Sequence, residues 1–336
     1  MTNDYRFEFR PYQRRFLRSL TTNHGKWDIR EGIILRLTDE TLRVGWGEIA
    51  PISWFGSETL EQVLDFCRQL PGEITDETIF SIPDELPACQ FGFESAWEWG
   101  SWKWGNEFFS MPNAQCPMPN AQSFSALLPF GEAALNQWET LWQKGYRTFK
   151  WKIGVDAIAD ELKIFESLTR ILPASTKLRL DANGGLSYEE ANLWLRTCDN
   201  LKANAELPLE IEFIEQPLPV EQFQQMLELS TSYETAIALD ESVATLKQLA
   251  ACHQQGWREI FVIKPGIVGS PSRLRKFCHQ HQIDTVFSSV LETAIGRLAA
   301  LQIAAELSRN NRAIGFGIDH FFEQEETWFQ TLWNDL

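Results

Sequence analysis

The sequence predicts an α/β barrel of parallel strands preceded by a smaller α+β domain, and three observations lead there. From Phe124 onward, eight short β-rich runs alternate with runs of helical periodicity, at spacings of roughly 22–35 residues, the length that helical crossovers between parallel strands require. Before that point strands come first and helices follow, and a Pro/Asn/Gln-rich stretch at 111–123 separates the two regions. Finally, five successive barrel strands, the second to the sixth, each end on a charged residue: Lys152, Asp181, Glu215, Asp240 and Lys264.

Size and composition bound the function. The chain has 336 residues, 44% of them apolar, enough for a sizeable core. Its formal net charge of −16 argues against nucleic acid or an anionic membrane surface as a partner. No apolar run is long enough to span a bilayer, so no membrane insertion is expected. The first residues, Met1-Thr2-Asn3-Asp4-Tyr5-Arg6, lack the apolar core of a signal peptide. The six cysteines are scattered without Cys-x-x-Cys spacing, which reads as packing or surface thiols in a reducing, cytoplasmic setting. The five histidines also lack ligand spacing, and His253, His279 and His281 fall in polar helical stretches.

Along the N-terminal region, 33–37 and 42–48 predict two strands around the polar turn Thr38-Asp39-Glu40. Residues 58–70 and 86–109 read as helices. The second carries Trp97, Trp99, Trp102, Trp104 and Phe108, a density expected of packing between layers. The near-repeat Met-Pro-Asn-Ala-Gln at 111–115 and 118–122 marks a linker. This divides the chain into 1–122, a barrel at 123–318, and an aromatic segment at 319–336 expected to pack back on the N-terminal domain.

Within the barrel, Leu127-Leu128 ends the first strand, Leu135, Trp138 and Trp142 form a helical stripe, and Gly145 stands where that helix should stop. The next strand is 146–152, followed by the stripe Ile158, Leu162, Phe165 and the terminating Pro173. A third strand spans 178–180, and Ser187-Tyr188-Glu189-Glu190 has the spacing of a capping box. Further strands are predicted at 211–214, 236–239, 260–263, 285–287 and 313–316.

Taken singly, each charged strand end has an ordinary explanation. Asp181-Ala182-Asn183 is a common turn, Asp240-Glu241-Ser242 a helix start, and Lys264-Pro265-Gly266 a surface turn. Together they fall at the C-terminal mouth of a barrel, where active sites of this architecture lie. Lys150 is two residues before Lys152 and Arg179 two before Asp181, so each pair shares the inner face and borders the mouth. Asp181, Glu215 and Asp240 are hard oxygen ligands on neighbouring strands. They suit Mg2+, with Mn2+ the alternative ion. A substrate carboxylate on such an ion, with Lys152 and Lys264 on either side, allows removal of the adjacent proton.

These motifs resemble the enolase superfamily, and Lys-x-Lys, the three acids and the later lysine resemble its muconate lactonizing enzyme subgroup. The resemblance covers nearly the whole chain and implies a (β/α)7β modified TIM barrel with an N-terminal α+β capping domain. Within the subgroup the chain is most similar to the o-succinylbenzoate synthases, through Gly45-Trp46-Gly47-Glu48-Ile49-Ala50-Pro51, Trp27, Arg30-Glu31-Gly32, Arg179-x-Asp181 and Ser288-Ser289-x-x-Glu292-Thr293. That implies a magnesium-dependent syn dehydration of 2-succinyl-6-hydroxy-2,4-cyclohexadiene-1-carboxylate to 2-succinylbenzoate through an enediolate, towards menaquinone or phylloquinone. Lys152 would remove the proton and return it to the leaving hydroxide, and Lys264 would face the ring as a cation. Lys150, Arg179, Asn183, Glu241, Ser288 and Ser289 are the expected supporting or substrate-binding residues.

The alternatives are N-acylamino acid racemisation, dipeptide epimerisation, and a non-catalytic carboxylate-binding or scaffold barrel. The epimerases of this subgroup carry Asp-x-Asp at the eighth strand, where Gly315-Phe316-Gly317-Ile318-Asp319 has one acid. A scaffold has no need of a second lysine opposite the first. The polar loop at 19–27, with His24 and Gly25, is expected to close over the site. Oligomeric state is left open.

Overall fold

The computed structural model describes residues 3–22, 25–99, 124–203, 209–317, 322 and 332–333. The N-terminal part is a four-stranded antiparallel sheet in the order β3-β2-β1-β4, with β1 at Asp4–Thr22, β2 at Gly25–Asp39, β3 at Val44–Ile49 and β4 at Glu73–Thr75. The turn between β2 and β3 is tied by Asp39, whose carboxylate accepts hydrogen bonds from the Thr41 and Arg43 amides at 2.8 and 2.9 Å. Helices α1 (Leu60–Gln69), α2 (Asp76–Phe80) and α3 (Pro87–Trp99) complete this cap.

The stretch expected to be a loop at 19–27 is instead the far end of a long hairpin. Leu20 pairs with Trp27, Thr21 with Lys26 and Thr22 with Gly25, after a register shift between Arg15 and Leu20. The two-residue tip, including His24, lies outside the described residues. Cross-strand pairing carries a polar segment this far from the sheet because the backbone groups satisfy one another.

Helix α3 is buried on nearly every side, as a helix between two layers must be. It approaches β3 so closely that a Cβ on Gly45 or Gly47 would sit 2.0 Å from the carbonyl oxygen of Ala96 or Gly92. The alternating glycines of this strand are therefore a packing requirement. The buried Glu58 carboxylate accepts the first amides of α3, Ala88 at 3.1 Å and Cys89 at 2.9 Å. The expected continuation of this helix to residue 109, with Trp102, Trp104 and Phe108, and the linker at 111–123 with Cys116, lie outside the described residues.

The second sheet has seven parallel strands in sequence order: β5 (Ser125–Leu127), β6 (Thr148–Lys152), β7 (Lys177–Asp181), β8 (Glu210–Glu215), β9 (Ile237–Leu239), β10 (Ile260–Ile263) and β11 (Asp284–Phe287). Between them run α4 (Ala134–Gln143), α5 (Ile158–Ile171), α6 (Tyr188–Ala203), α7 (Phe223–Ser232), α8 (Leu246–Gln254), the short α9 (Pro265–Val268) and α10 (Pro271–His281). Helix α11 (Ala294–Leu307) follows β11. The capping box at α6 is present, with Ser187 and Glu190 exchanging backbone hydrogen bonds of 2.8 and 3.2 Å.

The eighth strand expected at 313–316 is reduced to two isolated parallel bridges, Phe124 with Ile314 and Ser288 with Gly315. These still join both edges of the sheet, since Ser125 N–H donates to the Ile314 carbonyl at 2.9 Å and Gly315 N–H to that of Phe287 at 2.8 Å. Gly315 and Gly317 weaken the strand but allow close approach: a Cβ on Gly315 would lie 2.6 Å from Ser288 Oγ. The result is a closed ring of eight positions.

Strand residues alternate between two environments. Outward residues pack on the helices, as Trp151 does against Phe165 at 6.5 Å between ring centroids. Phe213, Ala238, Ile260, Val262 and Val286 fill the barrel interior. From the C-terminal segment, Phe322 packs on Phe16 of β1 at 4.8 Å and Trp333 on Trp46 of β3 at 4.9 Å.

Cap and barrel meet at Glu48. Its carboxylate, 1% exposed, accepts from the Tyr12 hydroxyl at 2.5 Å, from the amides of Thr293 and Gly296 at 2.9 Å each, and from the Thr293 hydroxyl. An anion is thus supplied by the cap to the N-terminus of a barrel helix. Glu48→Ala strands these buried donors at about 1–3 kcal/mol for each orphaned group. Urea unfolding should lose about 3 kcal/mol or more with its slope unchanged; an unaltered midpoint would show that the bridge contributes nothing.

Candidate active site

Strand register sets the site. Lys152 of β6 is level with Asp181 of β7, and Asp181 is level with Glu215 of β8, neighbours about 4.8 Å apart in the hydrogen-bonding direction. Asp240 follows β9 and Lys264 follows β10. In a ring of eight positions β6 and β10 are diametrically opposed, with the three acid-bearing strands between them. Both lysines line one cavity of about 310 Å3, together with Lys150, Asp181, Asn183, Asp240, Glu241, Ser288 and Ser289. Glu215 lies beneath, ion-paired to Lys150 at 2.7 Å.

The acids and lysines are already engaged with one another. Lys150 Nζ is also 2.8 Å from Asp181, and Lys264 Nζ contacts Asp240. Burial raises the pKa of Asp181, Glu215 and Asp240, because too little cationic charge offsets their desolvation. Burial acts against the Lys150 ammonium, but the carboxylates of Asp181, Glu215 and Asp240 outweigh it and hold its pKa well above the lysine range. Glu241 accepts from Asn183 Nδ2 at 3.2 Å, while its second carboxylate oxygen is buried without a partner among the described residues. Burial raises this group as well.

The backbone is arranged to aim these groups. Asn183, two residues beyond β7, and Gln216, immediately beyond β8, have positive φ of 44° and 39°, a conformation retained where surrounding contacts enforce it. Gln216 is fully buried. Its Oε1 accepts the Asp240 amide at 3.0 Å and the Ser242 amide at 3.2 Å, and its Nε2 donates to Ser242 Oγ at 2.8 Å. It thereby fixes the turn that presents Asp240, a role its place in Glu-Gln-Pro does not announce.

The cap supplies the apolar half of the cavity: Leu20 and Trp27 from the hairpin arm, and Ile52, Trp54 and Phe55 from the segment after β3. The Lys264 ammonium lies 4.0 Å from the centroid of the Phe55 ring, within cation–π range. Four of these five residues do not stand out in the sequence. Among them only Trp27 belongs to a motif.

Comparison with known proteins agrees with this arrangement. The model described as "Enolase C-terminal domain-like" matches residues 133–332, and that described as "MenC, N-terminal domain" matches 11–98. The o-succinylbenzoate synthase of Thermosynechococcus vestitus is 41% identical over 98% of this chain and 99% of its own. The chain belongs to the o-succinylbenzoate synthase family of the enolase superfamily. A crystal structure of the o-succinylbenzoate synthase from Thermosynechococcus elongatus BP-1, complexed with Mg in the active site, superposes with a TM-score of 0.83 at 39% identity, covering 98% of this chain and 100% of that one. The L-Ala-D/L-Glu epimerase of Bacillus subtilis is 24% identical over 82% of this chain and 77% of its own. Its substrate-liganded structure shares the fold, with a TM-score of 0.76 at 20% identity over 95% of this chain and 90% of that one.

Membership in this family makes the donor set testable for a divalent ion. Among the described residues no three carboxyl, imidazole or thiol groups form a ready-made cage. Instead the acids are turned onto Lys150 and Lys264. Three adjacent carboxylates whose burial is undercompensated, beside the unpartnered oxygen of Glu241, have the chemistry a hard dication requires.

Arg179 departs from its expected place at the mouth. It is buried below the cavity, with Nε donating to Glu212 at 2.6 Å and its guanidinium 4.9 Å from the Phe213 ring centroid. Glu212 also accepts from Arg312 at 2.7 Å, and Arg312 grips Asp284. The reason is a register shift: Leu178 pairs with Ile211 but Arg179 with Phe213, leaving Glu212 as an extra residue that meets Arg179 inside the barrel. Asp319, invoked against epimerisation, lies outside the described residues.

The Glu212 network is testable through pH. Burial alone would raise its pKa, but the guanidinium groups of Arg179 and Arg312 outweigh that and hold it below the ordinary glutamate value. Its stabilising contribution is complete above the unfolded-state value of about 4.3 and is lost as pH falls through the lower folded-state value. Glu212→Gln should cost about 3 kcal/mol near neutrality. The gap from wild type in urea unfolding should narrow below about pH 4; a gap independent of pH would contradict the assignment.

Proposed function

We propose that the protein catalyses the dehydration of 2-succinyl-6-hydroxy-2,4-cyclohexadiene-1-carboxylate to 2-succinylbenzoate, with Lys152 and Lys264 as its acid–base and electrostatic pair. The observation that carries this reading is the opposition of the two lysines across three carboxylate-bearing strands, in one cavity whose other half is apolar. Family membership and the 41% identical synthase support it. The match to the MenC N-terminal domain supports a place in menaquinone biosynthesis.

Asp181, Glu215 and Asp240 would hold Mg2+, which supplies positive charge beside the substrate carboxylate as an enediolate develops. Lys152, in its neutral form, takes the proton next to that carboxylate. It returns the proton to the departing hydroxyl on the same face, so a C–H and a C–O bond break, a C=C bond forms and water leaves. Lys264 presents its ammonium to the opposite face of the ring, in the orientation it already takes towards Phe55. Lys150, held between Asp181 and Glu215, balances the acids. Trp27, Ile52, Trp54 and Phe55 cover the ring and exclude water. No redox group is called for, because elimination itself makes the ring aromatic. Buried free thiols at Cys67, Cys89, Cys198, Cys252 and Cys278 fit the cytoplasmic setting of this reading.

The decisive assay follows the appearance of the aromatic product with purified protein and Mg2+. Lys152→Ala and Lys264→Ala should each lower kcat by about 10²–10⁴-fold. Chelation should abolish turnover and added Mg2+ restore it. Wild-type protein that forms no aromatic product would refute the reading, and unchanged behaviour of the Lys264→Ala variant would favour a scaffold. A parallel incubation with N-succinyl amino acids in deuterated water distinguishes racemisation, which would exchange the α-proton without elimination.

A further inference from the structure

Arg30 on β2 is 1% exposed. Burying a guanidinium is costly unless a counter-charge or complete hydrogen bonding compensates. Among the described residues Arg30 meets no carboxylate. All its hydrogen bonds go to main-chain carbonyls: Nη1 to Glu31 at 2.8 Å and Pro51 at 2.9 Å, Nη2 to Ala50, and Nε to Val290 at 3.1 Å. Its charged plane also lies 5.4 Å from the centroid of Trp27.

These partners belong to three separate walls of the cavity. Ala50 and Pro51 lead directly into Ile52, Trp54 and Phe55. Val290 lies in the segment after β11 that contributes Ser288, Ser289 and Leu291, and Trp27 is on the hairpin arm. The walls are far apart in sequence, with Val290 260 residues from Arg30 and Pro51 21 residues away. Arg30 touches neither lysine of the pair and none of the three acids assigned to the metal.

We propose that Arg30 is a positioning residue that fixes the substrate-facing walls relative to one another, and so sets how tightly the cavity grips the non-reacting part of the substrate. A guanidinium is suited to this because its donors lie in one plane at fixed angles. Four carbonyls satisfied in that plane are held in a single arrangement. An ammonium, with donors radiating from one atom on a flexible stem, cannot reach all of them together. Loss of the tether therefore costs contacts made equally to substrate and transition state, which appears in KM rather than in kcat.

The inference rests on the dehydratase reading, and the test separates the two. Wild-type and Arg30→Lys enzymes are compared for kcat and KM on the cyclohexadiene carboxylate, for Mg2+ binding by calorimetry, and for thermal unfolding. In Arg30→Lys, KM should rise roughly tenfold or more while kcat stays within about threefold. Mg2+ affinity should stay within about twofold, because the acids are untouched. A merely structural arginine would lower Tm and leave KM of the folded enzyme as it was; that result overturns the inference, as does a parallel loss of Mg2+ affinity. Wild-type enzyme that cannot turn the substrate over removes the reading beneath it instead. If Arg30→Lys does not fold, hydrogen exchange on the wild type decides. Peptides spanning 50–55 and 288–291 should open as one unit, with protection factors within about threefold and a common rise when 2-succinylbenzoate and Mg2+ are added. Independent opening of the two segments sinks the proposal.

Discussion

Acids on adjacent strand ends create an electrostatic demand that organises the rest of the molecule. Asp181 and Glu215 stand level on neighbouring strands, and Asp240 follows on the next. Carboxylates this close and this buried are stable only with cations nearby. Two lysines answer from within the barrel, Lys150 from two residues below the acids on the neighbouring strand and Lys264 from the far side. A hard dication would meet the same demand.

A division of labour between cap and barrel follows. Among the described residues the barrel presents the cavity's lysines and carboxylates, at or near the ends of its strands. The cap presents mainly apolar surface, from a hairpin arm and a short turn. Buried charged residues of the cap, Glu48 and Arg30 among them, join the two. Glu48 satisfies the start of a barrel helix, and Arg30 satisfies a barrel loop carbonyl. The charged and apolar halves of the cavity are thus built by different parts of the chain and fastened by hydrogen bonds between oppositely placed backbone and side-chain groups.

The barrel and its charged strand ends were legible in the sequence because both depend on short-range rules. Strand alternation puts Lys150 and Lys152 on one face, and helical crossovers impose their own spacing. Of the cap's part in the site only the 19–27 stretch was legible, and Leu20 and Trp27 from it line the cavity; the rest was not, because its contacts cross more than 200 residues, as Glu48 to Thr293 and Arg30 to Val290 do. No local pattern encodes that Phe55 will meet Lys264. The hairpin was mistaken for a loop because its polar residues satisfy backbone pairing without an apolar alternation. The eighth strand was overestimated because Gly315 and Gly317 break the ladder that Ile314 and Phe316 suggested. Arg179 was misplaced because simple alternation gives the face of a side chain but not its partner, and that partner is delivered by an irregularity in the neighbouring strand.

That irregularity has a further effect on how this strand can vary. Glu212 and Glu215 are three positions apart, so on a regular strand they would face opposite sides of the sheet. Both face inward here, along with Phe213, while Ile211 and Ile214 pack on the outer helices. The supernumerary residue resets the phase between the basal charge cluster and the mouth. Regular pleating of this segment with every residue retained would instead rotate Glu215 out among the helices. At its present length this stave can therefore exchange side chains only while the irregularity is kept, because that irregularity is what lets two acids, one at the base of the barrel and one towards its mouth, share the same interior.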